Sequence, residues 1–162
     1  MSRVQLALNV ANLDEAVAFY TKLFGVEPAK LRPGYANFAV AEPPLKLVLI
    51  EGAGVPGSLN HLGVEVETTA QVADAQRRLA AEGLATATED EVSCCYAVQD
   101  KVWVDDPNGA PWEIYTVLAD VEMVPGELRT VDPASTAACC DSRPDLAGVT
   151  AGAIVDAPAA CC

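Results

Sequence analysis

The six cysteines of the chain form three adjacent pairs, Cys94–Cys95, Cys139–Cys140 and Cys161–Cys162. A disulfide framework spaces its cysteines apart, because a bridge needs separated Cα atoms and gains most from closing a long loop. Adjacent thiols instead offer two soft sulfur donors to one thiophilic centre, such as trivalent arsenic, antimony, mercury or cadmium. Free cysteines can also serve as small buried hydrophobic residues. That alternative accounts for one pair but not for three, so the pairs predict thiol chemistry.

Three polar residues on predicted strands are the other candidates for chemistry. His61 is the one histidine of the chain, so a metal site here has at most one imidazole ligand. Gln5 and Glu113 lie, like His61, on strand faces that mix polar and small residues, whereas the opposite faces are apolar. An ordinary hydrogen bond would account for Gln5 or His61 taken alone. Glu113 follows Trp112 in an otherwise apolar strand, where a buried carboxylate needs a metal or a hydrogen-bonding partner.

An internal repeat positions these three residues. Residues 4–10 alternate as a strand, a capping-box pattern begins at Asn12, and an amphipathic helix follows. The same order returns 56 residues later, where Gln5 aligns with His61 and a second capping box begins at Thr68. Further strands are predicted after each helix, over residues 29–31, 35–40, 45–51, 84–88, 96–105 and 112–117. We therefore predict an α+β fold of two β-α-β-β-β modules, about residues 3–55 and 58–121, whose mixed faces meet across one cup.

The composition limits the remaining possibilities. The length of 162 residues and the 51% hydrophobic content predict one domain over residues 1–121. Residues 122–162 are rich in Ala, Pro, Asp, Ser and Thr, which predicts a disordered tail. The net charge of −13 argues against nucleic acid and anionic membranes as partners. We find no signal peptide or membrane span and therefore expect a cytoplasmic protein with reduced cysteines. The sequence is compatible with a homodimer but does not specify the oligomeric state.

The paired modules and the stretch DPNGAPWEIY, which contains Glu113, resemble the vicinal oxygen chelate superfamily of glyoxalases, extradiol dioxygenases and bleomycin-resistance proteins. In that superfamily the metal ligands come from the first strand of each module and the last strand of the second. The resemblance therefore implies that Gln5, His61 and Glu113 bind a metal and form the catalytic site. One imidazole, one carboxylate and one amide oxygen leave about half of an octahedron open, as in facial-triad iron sites, for O₂ and substrate.

Within that superfamily, the HLGVE motif that begins at His61, the Cys94–Cys95 pair and the cysteine-bearing tail resemble the ArsI-type carbon–arsenic lyases. This resemblance implies an Fe(II)- and O₂-dependent enzyme that removes the organic group of trivalent organoarsenicals, for example methylarsenite or aromatic arsenicals, and releases arsenite. Cys94 and Cys95 would hold the arsenic beside the iron. Tyr115, on the last strand, is the third candidate for contact with the substrate.

Alternative functions remain open at this point. Glyoxalase I sites use a fourth ligand, a glutamate on the last strand of the first module. The aligned position here is Leu47, and a shifted register would bring in Glu51. A glyoxalase-type or thiol-transferase enzyme would need such a ligand, whereas a drug-binding module would need neither metal nor cysteines. A non-enzymatic protein that sequesters cadmium or metalloids would use all three cysteine pairs without iron or O₂. The sequence does not specify the roles of Cys139, Cys140, Cys161 and Cys162.

Overall fold

The computed structural model describes residues 2–94, 97–120, 146 and 148–156, and the side chains of residues 92–94 are outside that description. The first module consists of β1 (Arg3–Val10), α1 (Leu13–Phe24), β2 (Lys30–Arg32), β3 (Tyr35–Val40) and β4 (Leu45–Glu51). The second consists of β5 (Leu59–Glu65), α2 (Thr69–Ala81), β6 (Thr86–Cys94), β7 (Ala97–Asp105) and β8 (Pro111–Asp120), and a short strand β9 (Ile154–Asp156) follows. The predicted β-α-β-β-β order is thus present twice, as the α+β prediction requires.

The two modules share one sheet in the order β2-β3-β4-β1-β5-β8-β7-β6-β9. The first strands of the modules, β1 and β5, pair antiparallel at its centre. Each also pairs in parallel with the last strand of its own module, β1 with β4 and β5 with β8. The strands of both modules therefore pair within one chain, and residues of β1, β5 and β8 meet at the middle of the sheet.

The helices begin where the sequence predicts. Asn12 caps α1 by accepting a hydrogen bond from the Glu15 amide, and Gly25 ends it with a φ of 67° in the left-handed region. Thr68 and Gln71 form a complete capping box at the start of α2. Helix α1 covers an apolar core that includes Leu13, Ala36, Phe38, Leu47 and Leu49. The sheet face turned away from α1, which we call the cup face, is left to carry the polar residues.

The chain after residue 121 differs in part from the predicted disordered tail. Strand β9 pairs in parallel with β6, Thr86 lying opposite Ile154. Leu146 is 8% exposed and packs with Ala87 and Trp103 on the cup face. The composition of the whole segment hides this short apolar stretch, because its few large residues are diluted by Ala, Pro and Asp. The cysteine pairs at 139–140 and 161–162 lie outside the described residues. Within the described residues, neither helix is long and apolar enough to cross a membrane.

Candidate metal centre

The structure brings together the three residues predicted to bind a metal. The Gln5 amide nitrogen lies 2.6 Å from Glu113 Oε1 and 3.0 Å from His61 Nε2. His61 Nε2 is also 3.3 Å from Glu113 Oε1. The side chains come from β1, β5 and β8 and are 3–7% exposed. Three donor-bearing groups from distant parts of the sequence therefore converge on one buried point of the cup face.

The register of the central strands explains this convergence. Gly63 on β5 lies opposite Gln5 on one side and Glu113 on the other. A Cβ at Gly63 would lie 3.1 Å from Glu113 Cγ and 3.3 Å from both Gln5 Cβ and Gln5 Nε2. The absence of a side chain at Gly63 thus leaves the space in which the two neighbouring side chains meet.

A chain of amide side chains orients the His61 ring. The register between β1 and β5 shifts at Ala7, which leaves Asn60 out of regular pairing beside His61. Asn60 Oδ1 lies 2.7 Å from His61 Nδ1, and the Asn60 amide donates to Asn9 Oδ1 at 3.0 Å. Because an amide oxygen only accepts hydrogen bonds, the ring proton belongs on Nδ1 and the lone pair on Nε2 faces the cluster. This is the tautomer that a metal-binding histidine requires.

Lys101 holds the other oxygen of Glu113. Its ammonium nitrogen lies 3.2 Å from Glu113 Oε2 and 5.3 Å from the centre of the Trp103 ring. Burial by itself would raise the pKa of Glu113, but the charge of Lys101 outweighs it and holds the pKa well below its usual range. Glu113 is therefore ionised, with Oε1 turned to the cluster and Oε2 to Lys101. Trp103 also packs edge-on against His61 and donates its indole N–H to Glu89 at 3.1 Å.

Glu65 and its cationic partners form a second charged group, which is linked to Gln5 through the Tyr115 hydroxyl. The Tyr115 hydroxyl is 2.5 Å from Gln5 Oε1 and 3.0 Å from Glu65 Oε2. Glu65 in turn pairs with Arg3 at 3.0 Å and with Lys46 at 3.2 Å. Burial, followed by the charges of Glu113 and Glu65, raises the pKa of Tyr115 far above its usual value, so the phenol stays protonated. Tyr115 has no exposed surface and its hydroxyl is engaged, so its role as a substrate contact stays a prediction.

The donor set fits a divalent metal that prefers nitrogen and oxygen ligands. His61 Nε2 and Glu113 Oε1 both direct lone pairs at the point where the Gln5 –NH₂ group lies, so the site demands an electropositive occupant. A metal would take that place if Gln5 turned its amide oxygen inward. Among the described residues, no group of three His, Cys, Asp or Glu side chains is gathered as a metal site, because the third member of this cluster is an amide.

The structure also decides the question of a fourth carboxylate on β4. Ala7 pairs with Val48 as Gly63 pairs with Glu113, so Val48, and not Leu47 as predicted, corresponds to Glu113 in the repeat. Glu51 is exposed, and its carboxylate accepts a hydrogen bond of 3.3 Å from the Leu13 amide at the start of α1. It therefore serves the helix side of the sheet. Neither candidate supplies a glyoxalase-type ligand on the cup face.

Cys94, the first of the two cysteines predicted to bind arsenic, lies at the end of β6. Cys94 pairs with Ala97 at the close of the β6–β7 hairpin, and Cys95 lies outside the described residues. The register shifts between Glu89 and Val92, which is the signature of a β-bulge. After this shift, Cys94 lies opposite Ala97 on β7. Ala97, Gln99 and Lys101 follow one another at every second position of that strand.

Sequence reasoning missed most of the residues that surround the three candidate ligands. Lys101, Glu65 and Lys46 form the ion pairs of the site, and Gly63 provides its space. Alternation along the strands was the available signal, because Lys101 shares a face with Trp103 and Glu65 shares one with His61. Which charges pair across the sheet depends on register, which alternation within single strands does not give.

Comparison with known proteins identifies the family. A family model for the glyoxalase/bleomycin resistance protein/dioxygenase superfamily matches residues 3–114. The chain belongs to that superfamily, as the sequence resemblance indicated.

Particular relatives narrow the resemblance further. A trivalent organoarsenical cleaving enzyme of Thermomonospora curvata is 58% identical over 155 residues, which is 94% of this chain and 98% of that protein. The cadmium-induced protein CadI of Mycobacterium bovis is 54% identical over 145 residues, 88% of this chain and 95% of that protein. The crystal structure of the 2,3-dioxygenase LapB of Pseudomonas sp. KL28 has a TM-score of 0.56 at 18% identity, covering 77% of this chain and 44% of that one. This last likeness concerns the fold alone.

Proposed function

We propose that this protein cleaves the carbon–arsenic bond of trivalent organoarsenicals to release arsenite, in a reaction that needs Fe(II) and O₂. The observation that carries the proposal is the buried meeting of Gln5, His61 and Glu113 within 2.6–3.3 Å of one another. The 58% identical relative named as a trivalent organoarsenical cleaving enzyme supports the choice of substrate. The ligand set is complete within one chain, so a homodimer is not needed to build it.

The residues of the cluster take distinct roles in this proposal. Gln5 Oε1, His61 Nε2 and Glu113 Oε1 would hold the iron. A ferrous ion bound there would supply the activation of O₂, and three protein ligands would leave positions free for O₂ and substrate. Lys101 occupies Glu113 Oε2, which keeps this carboxylate a ligand through one oxygen. Trp103 packs edge-on against the His61 ring, which would help to hold the ring in place.

Cys94 and Cys95 would bind the arsenical. A trivalent R–As(OH)₂ would exchange its two hydroxides for the two sulfurs, and the hydroxides would leave as two waters with the thiol protons. This exchange would fix the arsenic and leave the organic group directed at the metal. Both thiols must be reduced for this exchange, so the reaction suits the cytoplasm. Pentavalent arsenicals lack this affinity for thiols and would not be substrates until they are reduced.

The test is an incubation of iron-loaded protein with methylarsenite in air and under nitrogen, with arsenite separated and quantified by its arsenic content. We expect arsenite only when both Fe(II) and O₂ are present. The His61→Ala variant should lose metal binding and turnover together. Equal arsenite release without O₂, or full activity in His61→Ala, would refute the proposal.

A second function, sequestration of cadmium or metalloids without catalysis, is favoured by one observation. The 54% identical relative is named for its induction by cadmium, and this chain has three cysteine pairs. Sequestration predicts stoichiometric binding of Cd(II) that is indifferent to His61→Ala, and no arsenite from methylarsenite in air. The alternative of a glyoxalase-type enzyme is less favoured, because Val48 lies at the position where such an enzyme has a glutamate as its fourth metal ligand.

A further inference from the structure

The buried Tyr115 hydroxyl has more acceptors than protons. Gln5 Oε1 lies 2.5 Å and Glu65 Oε2 lies 3.0 Å from the hydroxyl oxygen. A phenol donates one proton, so it cannot satisfy both acceptors at once. Tyr115 is 0% exposed, so bulk solvent does not relieve this mismatch. One of the two acceptors is therefore close to the hydroxyl oxygen without a hydrogen bond from it.

The inner side of Gln5 constrains which way the amide points. Its nitrogen donates to Glu113 Oε1 at 2.6 Å and lies 3.0 Å from His61 Nε2. An amide nitrogen has no lone pair to offer a cation, so Gln5 can bind a metal only through Oε1. Presenting that oxygen requires a half-turn about the terminal side-chain torsion, which is soft and roughly two-fold. Without a cation, the same half-turn would bring Oε1 against the Glu113 carboxylate oxygen.

We propose that Tyr115 and Glu65 form a hydrogen-bond switch that accepts both orientations of the Gln5 amide and stabilises the one with oxygen inward. After the half-turn, Gln5 Nε2 donates to the Tyr115 hydroxyl oxygen, and the hydroxyl donates its proton to Glu65 Oε2. Glu65 Oε2 is then the acceptor that the Tyr115 hydroxyl needs, because Gln5 no longer accepts from it. Glu65 acts on the metal site through Tyr115, as a positioning residue. This inference rests on the proposed metal site and adds to it Glu65, which is linked to Gln5 through the Tyr115 hydroxyl.

The surroundings of Glu65 keep it a carboxylate, which can accept the hydrogen bond from Tyr115. Arg3 donates to it from Nε at 3.2 Å and from a terminal nitrogen at 3.0 Å, and Lys46 Nζ lies 3.2 Å from Oε2. Burial raises the pKa of Glu65, but Arg3 and Lys46 outweigh burial and lower the pKa below its usual value. The carboxylate is therefore ionised and fixed in place. When the amide turns, only the O–H bond of Tyr115 has to rotate from Gln5 to Glu65.

Two neutral replacements of Glu65 test the switch. Both Glu65→Gln and Glu65→Met remove the charge, but only Glu65→Gln keeps an oxygen that can accept from Tyr115. We expect Glu65→Met to bind Fe(II) about 10- to 100-fold more weakly than Glu65→Gln, in anaerobic titration calorimetry. In the metal-free state Tyr115 donates to Gln5, so thermal unfolding of the two metal-free variants should differ much less. Equal Fe(II) affinities of the two variants would overturn the switch, and Glu65 would then act on the site only through its negative charge.

Two further backgrounds show whether Glu65 acts through the proposed partners. In a Tyr115→Phe background, the difference in affinity between the two Glu65 variants should vanish, because the relay is broken. It should also vanish in Gln5→Glu, because a carboxylate presents oxygen in both orientations and needs no turn. A difference that persists in both backgrounds would contradict the relay.

The outcome for the proposed function is read separately. Wild-type protein that fails to bind Fe(II) would refute the metal site itself. Wild-type protein that binds Fe(II) but releases no arsenite would refute the reaction and leave the switch intact.

Discussion

Gly63→Ala is the substitution that most directly tests how the strands hold the metal ligands. The added methyl group would lie 3.1 Å from Glu113 Cγ and 3.3 Å from Gln5 Cβ, whereas ordinary van der Waals contact begins at 3.4 Å. Both neighbours belong to strands paired on either side of β5, so neither backbone can withdraw freely. The side chains must therefore give by a few tenths of an ångström, and in opposite directions.

This displacement should weaken both folding and metal binding. Overpacking of one methyl group in a buried position costs about 1–3 kcal/mol. For a chain of this length each kcal/mol lowers the melting temperature by roughly 2–4 °C, so we expect a fall of about 2–12 °C. Spreading two of three ligands apart approaches the roughly 0.5 Å tolerance of a preorganised site, and the metal affinity should fall by at least about tenfold.

The assay combines Fe(II) titration under nitrogen with thermal unfolding of the metal-free protein. Ala36→Val is the matched control, because Ala36 is fully buried in the core beneath α1 and lies on the face opposite the cup. The control should lower the melting temperature without weakening Fe(II) binding. If Gly63→Ala binds Fe(II) as tightly as the wild type, then the close approach at Gly63 does not set the ligand geometry, and the reasoning is refuted.

Three further predictions concern the surroundings of the site. Lys101→Met leaves the Glu113 carboxylate buried without its partner, so the metal-free protein should lose about 3–5 kcal/mol of unfolding free energy, and added Mn(II) should restore stability more than it does in wild type. Leu146→Ala should cost about 2 kcal/mol in denaturant unfolding, because Leu146 fills the space beside Trp103. Cys94→Ser and Cys95→Ser should each abolish methylarsenite binding and turnover while Fe(II) binding, measured on the same samples, stays intact.

Each of these predictions has an outcome that contradicts it. A metal-free Lys101→Met protein as stable as wild type would show that Glu113 is not held as an ion by Lys101. No loss of stability in Leu146→Ala would show that the packing of Leu146 against Trp103 does not stabilise the fold. Arsenite released at the wild-type rate by both serine variants would place the arsenical elsewhere.

The repeat made much of the fold predictable. A capping box, helical spacing and alternating strands are local signals, and they return 56 residues apart with Gln5 aligned on His61. The length of β6 was less predictable. The sequence suggested a strand near residues 84–88, whereas β6 runs from Thr86 to Cys94. The acidic run over residues 89–91, at the middle of β6, disfavours a strand by propensity, and pairing with β7 overrides that preference.

The candidate ligands were predictable from local patterns in the sequence. The residues that contact them, such as Lys101 and Asn60, were not. Strand alternation assigns Gln5, His61 and Glu113 to one face without knowledge of register. The pairing of Lys101 with Glu113 depends on the register of β7 against β8, and the contact between Asn60 and His61 depends on an irregularity at Ala7. Both are outcomes of packing between distant segments. An error of one residue, such as Leu47 for Val48, changes which face a side chain occupies.

The two modules contribute unequally to the cup, although their backbones repeat. On the first module, the positions that correspond to Lys101 and Trp103 are Tyr35 and Asn37, by the pairing of each with its last strand. Val48 and Ile50 stand there in place of Glu113 and Tyr115, and they form an apolar cluster with Tyr35 and Ala7.

The duplicated fold therefore surrounds the cluster unequally. The second module supplies His61, Glu113 and Lys101, whereas the first supplies an apolar cluster and the two cations, Arg3 and Lys46, that pair with Glu65. From the first module, the cluster receives only the neutral side chain of Gln5. A neutral third ligand adds no negative charge to Glu113, which Lys101 already compensates in part. A divalent ion held there would keep most of its positive charge. Such a site would favour anionic or electron-rich ligands at its open positions, and it would bind a metal less tightly than a site with two carboxylates.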